Sequence, residues 1–157
     1  MRPRLPVLLV VMGLVLAAGC SSDGPTNVQT LTIDDLVGSW SATSEVFTNN
    51  ADPSQKFDLI ALGGENRFTM LPGGATRTWI DAGTFHDEWD SQANLDAGGN
   101  TLTLTPAEAS RGVVTFTATL DGSVLTLHST NVSFDFTLTD PSAGVPATVD
   151  IVFVKTG

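Results

Sequence analysis

Apolar and polar residues alternate along most of this chain with the two-residue period of half-buried β-strands, not the 3.6-residue period of helices. Trp40, Ala42, Ser44 and Val46 fall on one face of residues 39–48, and Phe57, Leu59 and Ala61 on one face of residues 57–62. Gly63-Gly64-Glu65-Asn66 then turns the chain into residues 67–71, where Phe68 and Met70 point together. Pro72-Gly73-Gly74 leads to strands over residues 76–81 and 83–89, and Asp96-Ala97-Gly98-Gly99-Asn100 leads to residues 101–105, with Leu102 and Leu104 inward. Val114, Phe116, Ala118 and Leu120 alternate with threonines up to Asp121-Gly122, a two-residue turn signal, and Leu125 and Leu127 follow. Val132, Phe134, Phe136 and Leu138 form another alternating set, residues 140–144 a loop, and residues 147–155 the last strand. Eight to ten short strands with one apolar face each predict an all-β domain, a closed barrel or a sandwich, and the unbroken hairpin order favours a small antiparallel up-and-down β-barrel. The one helical element expected is a short N-terminal turn at residues 31–36, capped by Thr32 with Asp34 and Asp35 at its positive end.

The first nineteen residues break this pattern. Arg2 and Arg4 precede an almost unbroken apolar run over residues 5–16, and Ala17, Ala18 and Gly19 supply small side chains before Cys20. This is the layout of a cleavable export signal. The run falls short of the roughly 20 apolar residues needed to cross a bilayer and lacks a basic stop-transfer flank. Leu16-Ala17-Ala18-Gly19-Cys20 resembles the bacterial lipobox. That resemblance implies diacylglyceryl transfer to the Cys20 thiol, cleavage before it and acylation of the new amino group. Cys20 is the single cysteine of the chain, so no internal disulfide can form and lipidation removes an otherwise free thiol. Ser21, where an Asp would resemble an inner-membrane retention signal, implies an outer-membrane destination in a diderm cell. Residues 20–30 then form the lipidated cysteine and a Gly- and Pro-interrupted tether, and residues 31–157 the barrel domain.

Loss of residues 1–19 leaves five basic against seventeen acidic side chains, a net charge of −12 compared with −10 for the whole chain. Such a surface disfavours nucleic acid, whose phosphates require basic patches. The partners expected are the membrane, through the lipid on Cys20, and a small apolar molecule.

Leu36-Val37-Gly38-Ser39-Trp40, at the opening of the first strand, resembles the G-x-W signature of lipocalins and of lipocalin-like bacterial lipoproteins. The resemblance implies a barrel whose floor is plugged by Trp40, with Gly38 permitting a sharp turn and Lys155 of the last strand packing over the indole. Gly83-Thr84-Phe85, residues 99–105 and residues 120–127 have the look of the bacterial subgroup. The chain has no Tyr, so the family's T-D-Y turn is absent.

Candidate chemistry is sparse. His86 and Glu88 share one face of the Phe85-His86-Asp87-Glu88-Trp89-Asp90 segment, two ligands where a metal needs three or four, so no metal site is expected. His128 lies opposite Leu125 and Leu127 and reads as a surface residue. There is no Gly-x-Ser-x-Gly motif and no triad pattern, and the glycine pairs at 63–64, 73–74 and 98–99 are turns with no following helix to bind phosphate. No catalytic residue and no cofactor are therefore expected. Among the aromatic residues, Trp79 and Trp89 sit near turn-rich acidic stretches and are the candidates for lining an opening. Two functions remain open: a non-enzymatic binder of a small apolar molecule or lipid, or an envelope interaction module with a filled core.

Overall fold

The computed structural model describes residues 30–83, 85–138 and 143–157. The export signal, Cys20 and its tether lie outside these residues. Among the described residues a short helix, α1 (Ile33–Leu36), precedes nine strands: β1 (Gly38–Asn49), β2 (Lys56–Asp58), β3 (Glu65–Met70), β4 (Ala75–Ala82), β5 (Phe85–Leu95), β6 (Thr101–Pro106), β7 (Val114–Asp121), β8 (Val124–Phe134) and β9 (Val145–Lys155). A 3-10 turn, Ala109–Arg111, lies between β6 and β7. From β3 onward each strand pairs antiparallel with the next, and β9 pairs with β1 along nearly its whole length. The sheet thereby closes on itself as an eight-stranded up-and-down barrel, the architecture the hairpin order favours. Strand β2 is an extra ribbon: it covers Val46–Thr48 of β1, while β3 pairs with Gly38–Ser41. The cylinder closes its own hydrogen bonds around its own core, which is the anatomy of a domain that can fold alone.

One end of the barrel is closed. Thr32 and Asp35 bracket α1, with Thr32 N and Oγ1 both donating to Asp35 Oδ2 (2.9 and 2.6 Å). Trp40 is 1% exposed, and its Nε1 donates to the Leu36 carbonyl at 2.8 Å, tying the plug to the helix that covers it. Lys155 Nζ lies 5.2 Å from the Trp40 ring centroid, a cation–π contact. Gly38 has φ +132°, and a Cβ there would stand 2.6 Å from the Gly157 carbonyl oxygen and 2.7 Å from Lys155 Cε. The floor thus requires glycine both for its backbone conformation and for its space. Around this plug, Leu36, Met70, Leu102 and Leu125 are buried almost completely.

Four strand expectations are corrected by local geometry. In β1 the pairing with β9 shifts between Ala42 and Ser44, which leaves Thr43 as an extra residue, its Oγ1 bonded to the Val152 carbonyl. Beyond this bulge the inward set changes parity, so Glu45 and Phe47 face the interior where alternation predicts Ser44 and Val46. In β8 a second shift between Ser129 and Val132 reconciles inward Leu125, Leu127 and Ser129 with inward Val132 and Phe134. The two alternating sets of the sequence are therefore one bent strand, which ends at Phe134. Residues 57–62 do not form one strand: β2 stops at Asp58, whose carboxylate accepts the Ile60 and Ala61 amides and turns the chain. Strand β5 also runs on to Leu95, past the polar residues that signal its end, because small Ser91 and Ala93 fill the inward positions there.

Candidate ligand cavity

The barrel is not filled. A cavity of about 300 Å³ lies between the floor and the open end. Phe68, Met70, Leu102, Leu104, Phe116 and Leu127 contribute apolar walls, and Val149, Ile151 and Phe153 of β9 complete them. The inward polar positions gather on three neighbouring strands, Glu45 on β1, Asn66 on β3, and Thr76 and Thr78 on β4, interspersed there with apolar Phe68, Met70 and Ile80. The interior is therefore mainly apolar, with its polar groups confined to one sector.

The polar sector is centred on one pair. Asn66 Nδ2 donates to Glu45 Oε2 at 2.8 Å, with the two residues 4% and 3% exposed. Among the described residues that is the one side-chain hydrogen bond of the Glu45 carboxylate, and no Arg or Lys pairs with it. Burial pushes the Glu45 carboxyl up to about 7; the Asn66 hydrogen bond opposes that rise and the Asp58 charge adds to it. Asn66 Oδ1 is buried without a hydrogen-bond partner, as is Ser91 Oγ on β5. A buried acceptor with no donor is costly, so such atoms mark where a donor from elsewhere would be welcome.

The open end has two sides. On one, Phe47 stacks on Phe134 with ring centroids 4.0 Å apart, and Phe57 and Phe136 pack on Phe134 at 5.2 and 5.0 Å. On the other, Arg111 of the 3-10 turn makes two 2.6 Å hydrogen bonds to Asp87 and places its guanidinium 4.9 Å from the Trp89 ring centroid. These bonds hold the Asp87 carboxyl below the usual carboxylate range. Trp89 is thus held against Arg111 while it lines the cavity.

The two candidate tryptophans go to different places. Trp89 faces the cavity, whereas Trp79 sits on the outer face, against Arg67 (5.1 Å to the ring centroid) and His86 (5.5 Å between centroids). His86 lies 3.9 Å from Asp81 and Glu88 pairs with Arg77, all on the exposed side. His128 Nδ1 lies 2.6 Å from Asp150 Oδ1 on the outer surface. No group of three metal-ligating side chains comes together among the described residues. Gly38, Trp40 and Lys155 meet at the floor, away from the open end.

Glu45 and Asn66 escape sequence reasoning. Alternation from Trp40 turns Glu45 outward, and Asn66 falls in a Gly-Gly-Glu-Asn string that reads as a turn. The one signal available is a glutamate between Ser44 and Val46 in an otherwise uncharged stretch of strand.

Fold and cavity together define a class: a closed eight-stranded antiparallel β-barrel with a predominantly apolar internal cavity and a polar pair in its wall. No family model, curated protein or solved structure matches the chain.

Proposed function

We propose that this protein is a lipocalin-like, lipid-anchored envelope lipoprotein that binds a small, mainly apolar molecule inside its barrel and performs no chemistry on it. The observation that carries the reading is the cavity of about 300 Å³ lined largely by Phe, Leu, Val and Ile side chains. A dry cavity of roughly 150 Å³ takes a benzene ring, so this one has room for a molecule of about twelve non-hydrogen atoms. Ligand sites in proteins are typically apolar hollows with a few placed polar groups, which is the composition found here. A filled-core interaction module would have no use for such a space. The floor geometry of Gly38, Trp40 and Lys155 supports the lipocalin-like reading, and the lipobox-like run ending at Cys20 supports the anchor.

The binding reading is tested by titrating residues 30–157 with an apolar fluorescent probe. Saturable binding with one site, abolished by filling the cavity, is the expected result; a linear, unsaturable response sinks the reading. The anchor is tested separately with Cys20→Ser, which is expected to release the protein from the membrane fraction and remove the mass of the acyl groups.

A further inference from the structure

We infer that the molecule held in the barrel is an amine, an apolar body bearing one ammonium group that sits between the Glu45 carboxylate and Asn66 Oδ1. The inference deepens the cavity reading above and rests on it. Both groups are acceptors, and both line the same cavity. Asn66 has already committed its amide N–H to Glu45, which leaves Oδ1 as a buried oxygen with nothing to accept from. Glu45 is a carboxylate in an apolar barrel with no basic partner, an arrangement that is unfavourable until a cation arrives. An ammonium has three donors and no acceptor, so a single one carries donors enough for both oxygens. A carboxylate or phosphate ligand would set acceptors and negative charge against acceptors and negative charge. A hydroxyl has one donor, enough for one of the two oxygens and without charge for Glu45.

The remaining surroundings agree. The apolar lining of Phe68, Leu102, Leu127 and Ile151 suits a hydrocarbon or aryl body. The chain's net charge of −10 draws cations toward it. The elements packed against Glu45 bring one other charged group close to its carboxyl: Asp58 at the end of β2, also acidic. Asn66 on β3 and Ile151 opposite on β9 carry none, and Leu59, whose amide donates to the Glu45 carbonyl, carries none either. Because burial raises the Glu45 carboxyl to about 7, the amine-binding form is the one present on the alkaline side of neutrality.

The test compares phenylbutylamine, phenylbutanol and phenylbutyrate, which share one body and differ in the head. Each is titrated calorimetrically into residues 30–157, at pH 8 and pH 5.5, with the wild-type sequence and with Glu45→Gln. The amine is expected to bind at least tenfold more tightly than the alcohol at pH 8. Its affinity is expected to fall about 30-fold at pH 5.5, following the ionised fraction of a group titrating near 7, while the alcohol's stays constant. In Glu45→Gln the advantage of the amine and its pH dependence should both vanish, with alcohol binding retained as proof of an intact barrel. Equal binding of amine and alcohol, or tighter binding of the butyrate, overturns the amine and leaves the cavity reading standing. Absence of binding by all three overturns both.

Discussion

Exchange of Glu45 for Gln removes a charge from the barrel wall without changing its shape, and the structure states how stability should respond. In the folded protein the carboxyl titrates near 7; in the unfolded chain it returns to its ordinary value of 4.5. Below that value both states carry the neutral acid and Glu45 costs nothing. Between about 4.5 and 7 the folded state keeps a proton that the unfolded state has released, so stability falls as pH rises. Above 7 the penalty is complete. A displacement of that size corresponds to about 3 kcal/mol, each pKa unit being worth about 1.4 kcal/mol. Gln carries no charge to bury, so the variant should match the wild type at pH 4 and exceed it by up to about 3 kcal/mol at pH 8. In a domain of this size that is a rise in Tm of roughly 10 °C. Urea unfolding of ligand-free residues 30–157, followed by tryptophan fluorescence at several pH values between 4 and 8, measures it. A stability difference independent of pH, or a variant weaker than wild type at pH 8, would refute the buried, uncompensated carboxylate.

Other substitutions probe the floor, the rim and the interior. Trp40→Ala removes a wholly buried indole and leaves the Leu36 carbonyl without its donor, so a loss of about 3–5 kcal/mol in chemical denaturation is expected. Gly38→Ala forces a Cβ against Gly157 and Lys155 at a φ that L-residues avoid, and should cost at least about 2 kcal/mol by the same measurement. Arg111→Ala should cost about 1–2 kcal/mol at pH 7 through loss of the Asp87 pair. Because Arg111 holds the Asp87 carboxyl down, that difference should shrink as pH falls through the acid range and protonates Asp87. Leu104→Trp puts its extra rings into the cavity, so probe binding should disappear from the fluorescence titration while the far-UV spectrum remains that of a barrel.

Much of the barrel is legible in the residues themselves. The Val114–Asp121 and Val124–Phe134 hairpin is announced by alternation and by Asp121-Gly122, where Gly122 takes φ +57°. The floor is legible only through the G-x-W resemblance at Gly38 and Trp40; the structure supplies the reason, a glycine where no Cβ fits and a tryptophan that fills the end. What alternation cannot convey is a change of its own phase. A bulge adds one residue without leaving a required residue type, and Thr43 looks like any other strand threonine. The same holds at Ser129 to Val132, where one strand reads as two. The polar pair is hidden for this reason, since each member acquires its inward position from backbone register and not from its own chemistry. Asp58 shows the converse, a short polar side chain that halts a strand by capturing the Ile60 and Ala61 amides.

The extra residue in β1 also determines how kinship to this protein should be recognised. The stretch from Ala42 to Glu45 has one more residue than a straight strand needs to reach the partner of Ile151. A homologue one residue shorter there would run straight and still bring its glutamate inside. A homologue of equal length that ran straight would bury the counterpart of Val46 and turn its glutamate to water, although the two sequences were identical at every cavity position. Gaps and spacing around Thr43, more than identities, would then separate homologues that share an interior carboxylate from those that have lost it.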